Sequence, residues 1–139
     1  MIQFLIATEQ PLSSQLKPLL TLIMEEQPQQ DWTCVICPKD LIKPICQLLT
    51  DLWPERCLLA NEDSWSIGEI LVTDLLSPSP YPKKTCIINT ITDLMIPEKA
   101  CKVCIEVITE HRAKGREKYR HYQQTGSTPH VKHINNLSA

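Results

Sequence analysis

The basic segment 111–124, HRAKGREKYRHYQQ, concentrates the side chains of this sequence that could bind an anion. Its first twelve residues carry five Lys and Arg side chains against a single acid, a net charge of +4. In a helix, Arg112, Arg116, Tyr119 and Arg120 would share one side. Guanidinium groups beside an aromatic ring suit an anion joined to an apolar group, such as the carboxylate of a peptide with a hydrophobic last residue. A solvated helix face without a partner is the alternative.

Two cysteine pairs have the spacing of zinc ligands, Cys34 with Cys37 and Cys101 with Cys104. Both pairs involve predicted strands, whereas zinc ligands of this spacing usually lie on turns. Positions three apart within a strand point to opposite faces, so such a pair could not chelate one ion. A thioredoxin-like redox pair would open a helix, but Cys34 and Cys37 close a strand. We therefore expect neither a metal site nor a redox centre.

Nucleotide binding and nucleophilic catalysis also lack the residues that they need. The chain has three glycines, and none lies in the turn after the first predicted strand, where a phosphate-binding loop would require them. All four histidines lie in the last quarter of the chain, and no Ser or Cys occurs in a recognisable nucleophile elbow. We expect a protein without a cofactor and without catalytic residues.

Trp65 is a candidate anchor for a protein partner, because it follows the polar run Asn61-Glu62-Asp63-Ser64. A ring that folds over the edge of the sheet is the alternative. Trp53 closes the second predicted helix just before Pro54.

The charge is distributed unevenly along the 139 residues. Residues 1–110 hold 8 Lys and Arg against 15 Asp and Glu, whereas residues 111–139 hold 6 against 1. One end of the molecule therefore attracts anions, which argues against a broad nucleic-acid-coating surface. The odd number of cysteines, several of them in apolar runs, favours a reducing compartment, and no apolar run is long enough to span a membrane. We expect a soluble, cytoplasmic protein.

The elements that position the basic segment alternate between strand and helix. Apolar runs at residues 1–7 and 32–37 predict strands, and apolar stripes within residues 12–26 and 39–53 predict helices. Pro18 indicates that the first helix kinks or begins near Lys17. This alternation predicts a single α/β domain with a mostly parallel, Rossmann-like sheet flanked by helices.

The rest of the chain completes the predicted sheet. Strands are predicted at residues 57–60, 67–75, 85–90 and 102–108, and a short helix at residues 93–101. The last strand leads into the basic C-terminal helix. We assign residues 1–126 to the domain and residues 127–139 to a flexible tail, because the tail shows no apolar periodicity.

The segment VCIEVITEHRAKGREKYRHYQQTG resembles the C-terminal signature of the chi subunit of bacterial DNA polymerase III. In that family an apolar strand is followed by an Arg-Glu-Arg-Tyr-Lys-x-Tyr type helix and then by a glycine. The matching residues here are Arg116, Glu117, Lys118, Tyr119, Arg120, Tyr122 and Gly126.

A weaker similarity extends over most of the chain. Leu52-Trp53, Ser64-Trp65 and Ile88-Asn89 stand where chi-like sequences have a Leu-Trp pair, a Ser-aromatic loop and an Ile-Asn strand. The chain departs from the family directly after Trp65, where Ser66-Ile67-Gly68 replaces a Pro-His-like step. This departure affects any partner contact at that loop.

The resemblance implies a non-catalytic adaptor of the replication machinery. Chi-like proteins bind the acidic C-terminal tail of single-stranded-DNA-binding protein, and through another surface they bind the psi subunit, which links them to the clamp loader. Contact with DNA is then indirect. By resemblance, the tail carboxylate meets Arg116, and Arg112 and Arg120 steer its acidic residues.

The same resemblance assigns roles to further residues. The apolar last side chain of the tail would lie against Tyr119 and Ile108, while Trp65, together with Trp53, would face psi. One alternative function is direct binding of single-stranded nucleic acid by the basic helix, with Tyr119 and Tyr122 stacking on bases. Another is a degenerate nucleotide-using enzyme, against which the missing glycines argue.

Overall fold

The apolar runs of the sequence form the strands of one sheet. The computed structural model describes residues 1–26, 32–54, 70–74, 85–97 and 101–134. In chain order, the strands are β1 (Ile2–Ile6), β2 (Thr33–Ile36), β3 (Ile70–Thr73), β4 (Cys86–Asn89), β5 (Val103–Ile108) and β6 (His130–His133). The three α-helices of the described ranges are α1 (Leu16–Glu26), α2 (Ile42–Leu52) and α3 (Arg112–Gln124).

The strands are arranged in the order β3-β2-β4-β5-β1-β6, and every pair of neighbours is parallel. The predicted parallel α/β architecture is thereby confirmed, and it is consistent with a Rossmann-like fold. The central strands read as continuous apolar runs because helices or loops bury both of their faces. Along the described ranges, none of the helices combines the length and the apolar character needed to cross a bilayer.

The first two helices begin in the same way. A 3₁₀ turn, Leu12–Ser14 or Lys39–Leu41, follows a proline, and the α-helix begins shortly after it. The next proline, Pro18 or Pro44, is the third residue of its helix. There its missing N–H costs little, because the first N–H groups of a helix have no intrahelical partner. Of the two predicted alternatives, a kink at Pro18 or a start near Lys17, the structure shows the second, because α1 begins at Leu16.

Two apolar layers cover the two faces of the sheet. One layer joins α1 and α2 to residues such as Leu5, Val35 and Val107. The other joins α3 to residues such as Phe4 and Ile108. The basic helix therefore lies across the sheet from the other two helices, on the side to which Phe4 and Ile108 point.

The predicted helix over residues 93–101 is wrong for residues 93–97, where the structure shows no helix. The Asn89 side chain holds this segment instead, since its Oδ1 accepts from the Ile91 N–H at 3.0 Å and its Nδ2 donates to the Leu94 carbonyl at 2.8 Å. Side-chain bonds of this kind offer the backbone an alternative to a helix. The predicted strand at residues 57–60 lies outside the described residues.

The prediction of a flexible tail over residues 127–139 is wrong for residues 130–133, which form β6. This strand pairs with β1 from Gln3↔His130 to Ile6↔His133. The pairing continues in a hydrogen bond from the Ile134 N–H to the Ile6 carbonyl at 2.8 Å. Main-chain bonds rather than buried side chains hold β6, since all four of its residues are exposed.

Candidate functional site

Gly115 lets the basic helix lie directly on β5. A Cβ atom at this position would stand 2.8 Å from Cγ2 of Ile108, closer than real Cβ contacts allow. Any larger residue would push α3 away from the sheet or force Ile108 to move. The close approach of α3 and β5 at Gly115 thus defines one wall of the cavity described next.

A groove of about 320 Å³ lies between α3 and the sheet. Its helix side is formed by Arg112, Gly115, Arg116 and Tyr119, and its floor by residues of β1, β5 and β6. The floor residues are Phe4, Ile6, Ile108, Val131 and His133. This groove, called the α3 groove below, combines an apolar floor with cationic side chains at its wall.

Four of the five residues predicted for the peptide site line the α3 groove: Ile108, Arg112, Arg116 and Tyr119. Arg120 is exposed on the same helix but is not part of the lining. The structure therefore brings the first four together in one groove and does not include Arg120 in its lining.

Arg112 is partly engaged within its own chain. Its Nη2 donates to the carbonyl oxygen of Ala7, and its Nε lies 3.8 Å from Oε1 of Glu9. β1 and β5 are neighbouring strands, but they lead to helices on opposite faces of the sheet. The contact between Arg112 and Ala7 lies at the ends of these two strands. Because 27% of its side chain stays exposed, Arg112 can still contribute charge to the groove.

Arg116 is available to a ligand. Its residue is exposed, and no described part of the chain supplies it with an ion pair or hydrogen-bond partner, whereas Lys114 lies 3.2 Å from Asp93 Oδ1. The first turn of α3 carries no acid that would offset the positive end of the helix. Arg116 is thus the cation of the groove wall best placed to bind an anionic group.

Lys118 points away from solvent. Its Nζ lies 2.9 Å from Oε1 of Glu106 and donates to the Ile91 carbonyl at 3.0 Å. The side chains of Lys118 and Glu106 are 3% and 0% exposed. Lys118 is one of the five cations behind the charge of +4 counted for this segment, but its charge is paired inside the protein and is not available to an anion.

Tyr122 completes this buried cluster. Its hydroxyl donates to Oε2 of Glu106 at 2.6 Å and accepts from the Ile96 N–H at 3.0 Å. Burial raises the pKa of Glu106, while Lys118 and hydrogen bonds from Tyr122 and Asn89 act in the opposite direction. Burial and the adjacent carboxylate raise the pKa of Tyr122. The cluster ties α3 to β5 and to the segment after β4.

Five groove residues are absent from the predicted site: Phe4, Ile6, Gly115, Val131 and His133. The Phe4 ring meets Tyr119 edge-on, with centroids 5.4 Å apart and planes at 71°. This contact fixes the orientation of Tyr119 at the groove. Phe4 and Ile6 alternate on one face of β1, a detectable period-two signal, but nothing in the sequence indicates that Val131 and His133 lie beside them.

A second cavity, of about 470 Å³, lies at the other end of α3. Its lining comprises Met95, Ile96, Pro97, His121, Tyr122, Thr125, Gly126 and Ser127. Although it is larger, this cavity has no Lys or Arg in its lining. The α3 groove is therefore the better candidate for an anionic ligand.

The two cysteine pairs are buried. Cys34 and Cys37 belong to the layers on opposite faces of the sheet, as strand geometry requires. Cys101 and Cys104 lie in the same layer and are hydrogen-bonded to each other. Positions three apart point to opposite faces only when both lie within a strand, and Cys101 lies before the first residue of β5. Within the described ranges, no three His, Cys, Asp or Glu side chains are grouped as ligands for a metal ion.

The two tryptophans assigned to a second partner differ in what the structure shows. Trp53 follows α2, is half-buried and packs against the layer formed by α1 and α2. Trp65 lies outside the described residues. Their assignment stays a prediction.

The chain was compared with models of known protein families, with curated proteins and with solved structures. No family model matches it. No curated protein matches it. No solved structure matches it. The proposal of a function therefore rests on the geometry of the α3 groove and on the sequence resemblance described above.

Proposed function

We propose that this chain is a non-catalytic peptide-binding adaptor, whose ligand is an acidic peptide that ends in an apolar residue with a free carboxylate. One observation carries this proposal: an accessible guanidinium, that of Arg116, stands at the wall of a groove whose floor is mostly apolar. A carboxylate can form two parallel hydrogen bonds with such a group, and the floor can take an apolar side chain.

The particular adaptor that we propose is a chi-like accessory subunit of DNA polymerase III. Its ligand would then be the C-terminal tail of single-stranded-DNA-binding protein, with the carboxylate at Arg116 and the last side chain against Tyr119 and Ile108. The support is the C-terminal sequence signature, two residues of which, Arg116 and Tyr119, line the α3 groove beside Arg112 and Ile108. In this proposal, contact with DNA is indirect, and the protein needs neither a cofactor nor a membrane.

Such an adaptor works by tethering. A weak contact made to many copies of a protein that coats DNA raises the local concentration of polymerase on the lagging strand. Because the contact depends on charge, association should be fast and should weaken as salt screens the acidic tail from Arg116 and Arg112.

Direct binding of single-stranded nucleic acid is the competing function. Tyr122 is 2% exposed and bonded to Glu106, so it is not available to stack on a base, and Lys118 is buried beside it. Only one of the two aromatic rings that this function would use remains accessible, and the helix presents fewer cations than the sequence suggests.

Fluorescence anisotropy separates the two functions. A labelled acidic peptide ending in Pro-Phe and a labelled single-stranded oligonucleotide are each titrated with the protein, at low and at physiological salt. The adaptor function predicts saturable peptide binding that exceeds oligonucleotide binding. Oligonucleotide binding without peptide binding would contradict it.

The psi contact is a separate part of the proposal and requires its own experiment. Trp65→Ala should reduce binding to a psi subunit while leaving the affinity for the tail peptide unchanged, because the resemblance assigns psi and the tail to two different surfaces. Trp53→Ala is the poorer test, since Trp53 packs on the core and its loss lowers stability. Unchanged psi binding by Trp65→Ala would remove Trp65 from this interface.

A further inference from the structure

The α3 groove opens beside an edge of the sheet. In the described ranges β6 is the last strand on its side, and no other strand pairs with its outer edge. Val131 and His133 of β6 line the groove. Lys132 faces the opposite side, where its Nζ lies 2.7 Å from Oε1 of Glu26. A ligand in the groove therefore lies next to the main chain of β6.

The main-chain groups of β6 alternate between its two edges. The Ile134 N–H bonds to the Ile6 carbonyl on β1, so the N–H and C=O groups of residues 130, 132 and 134 face β1. The N–H and C=O groups of Val131 and His133 then face outward. The edge beside the groove thus offers two donors and two acceptors to an incoming strand.

Two of the features that usually keep an edge from pairing, a bulge and a proline, do not occur in β6; the strand is short and contains a lysine, but the charge of that residue, Lys132, is paired with Glu26 on the face away from the groove. The register of β6 with β1 is continuous over four residues, without a bulge, and its sequence HVKH contains no proline. Val131 is 46% exposed, an unusual position for a large apolar side chain. No acid occurs in β6, and Arg116 stands at the groove beside it, so the edge suits a negatively charged strand.

We propose that the acidic peptide adds to the sheet as a further strand along β6, an inference that rests on the proposed function. Its main chain bonds to the outward N–H and C=O groups of Val131 and His133. Its apolar last residue turns into the α3 groove, where the carboxylate meets Arg116. Side chains in the groove then select the end of the peptide, and main-chain bonds to β6 hold the residues before it.

Amide hydrogen exchange measured by NMR tests this arrangement with an internal control. On saturation with the unmodified peptide, the Val131 and His133 amides should exchange at least about 10-fold more slowly, because they become hydrogen-bonded. In the free protein, the Lys132 amide, which faces β1, should already be protected, whereas the Val131 and His133 amides should exchange almost freely. Val131 and His133 amides that stay unprotected at saturation with the peptide would overturn the proposal.

Peptides that are N-methylated at one residue at a time give a second measurement. Pairing with β6 predicts that affinity falls about five-fold or more at alternate residues and stays near the unmodified value between them. Tight binding of the unmodified peptide with no such alternation would overturn the strand addition and leave the proposed function standing. No binding of the unmodified peptide would overturn both.

A second copy of this chain is the other possible occupant of the edge. Slowing of the Val131 and His133 amides that grows with protein concentration in the absence of peptide would assign the edge to self-association and overturn the proposal. Concentration-independent exchange in the free protein, followed by slowing on peptide addition, would support it.

Discussion

Lys118 and Arg116 lie on the same helix, but their removal should affect different properties. Removal of Lys118 should lower the stability of the fold, whereas removal of Arg116 should lower the affinity for the peptide. Lys118 lies inside the protein, with its Nζ 2.9 Å from a Glu106 carboxylate that is 0% exposed. Lys118→Met keeps the apolar stem and removes the charge, which leaves the carboxylate buried without its cation. Breaking a buried pair in this way costs about 3–5 kcal/mol, a large part of the roughly 5–15 kcal/mol by which a domain is stable.

The expected loss lies at the lower end, about 3 kcal/mol, because Glu106 keeps the hydrogen bond from Tyr122. Glu106→Gln in the same background should restore part of the stability, since an amide oxygen can accept that bond without a charge. Urea denaturation at neutral pH measures the loss, provided that the slope with urea is unchanged.

The loss should also depend on pH. Burial already raises the pKa of Glu106, and removal of Lys118 raises it further. For a carboxyl group whose pKa is higher in the folded state, stability is fully present below the unfolded pKa and falls as pH rises through the folded pKa. The gap between Lys118→Met and wild type should therefore widen from pH 4.5 to neutral pH.

The same variant should bind the acidic peptide with unchanged affinity under conditions where it is fully folded, because Lys118 does not line the α3 groove. A loss of less than about 1 kcal/mol would refute the burial of the pair. A fully folded Lys118→Met protein with weakened peptide binding would refute the separation of the buried cluster from the groove.

Three further changes probe neighbouring contacts. Tyr122→Phe removes the 2.6 Å bond to Glu106 and should cost about 2 kcal/mol in urea denaturation; a change below about 0.5 kcal/mol would contradict the buried hydrogen bond. Gly115→Ala gains about 1 kcal/mol of helix propensity but overpacks Ile108 at a cost of about 1–3 kcal/mol, so it should destabilise slightly and weaken peptide binding. Ile108→Ala in that background should relieve the clash, and peptide affinity untouched by Gly115→Ala would argue against a groove at this position. Burial raises the pKa of Cys37 from 9.0 to about 12, so stability should fall with pH across that interval, because the unfolded chain releases the proton first. Iodoacetamide should label this thiol much faster in urea than in the native protein, as followed by mass spectrometry, and equal rates would contradict its burial.

The sequence predicts the parts of the fold that depend on local patterns. β2 reads as an apolar run because all four of its residues are buried. The start of α1 follows from Pro18, whose position limits where a helix can begin. These features are encoded by neighbouring residues, so no knowledge of the tertiary structure is needed to find them.

The features that the sequence did not predict depend on distant pairings. β6 is held by main-chain bonds to β1, more than a hundred residues away, and its exposed side chains leave no apolar pattern. Lys118 looks like a surface cation until Glu106 of β5 is placed beneath it. The residues 93–97 adopt a non-helical path because the side chain of Asn89 bonds to this segment.

The residues of the candidate site also include some that the sequence predicts and some that it does not. Arg116 and Tyr119 could be found from the sequence because both lie on one side of a single helix. Val131 and His133 could not, because only the sheet brings them to the groove.

A thermodynamic cycle on Arg116 and the peptide carboxylate tests the central claim most directly. The tail peptide is prepared with a free or an amidated C-terminus, and anisotropy gives its affinity for wild type, Arg116→Ala and Arg120→Ala. If the carboxylate contacts Arg116, amidation should weaken binding to wild type and to Arg120→Ala by about 10-fold or more and to Arg116→Ala very little. Equal effects of amidation in all three proteins would contradict a carboxylate site at Arg116.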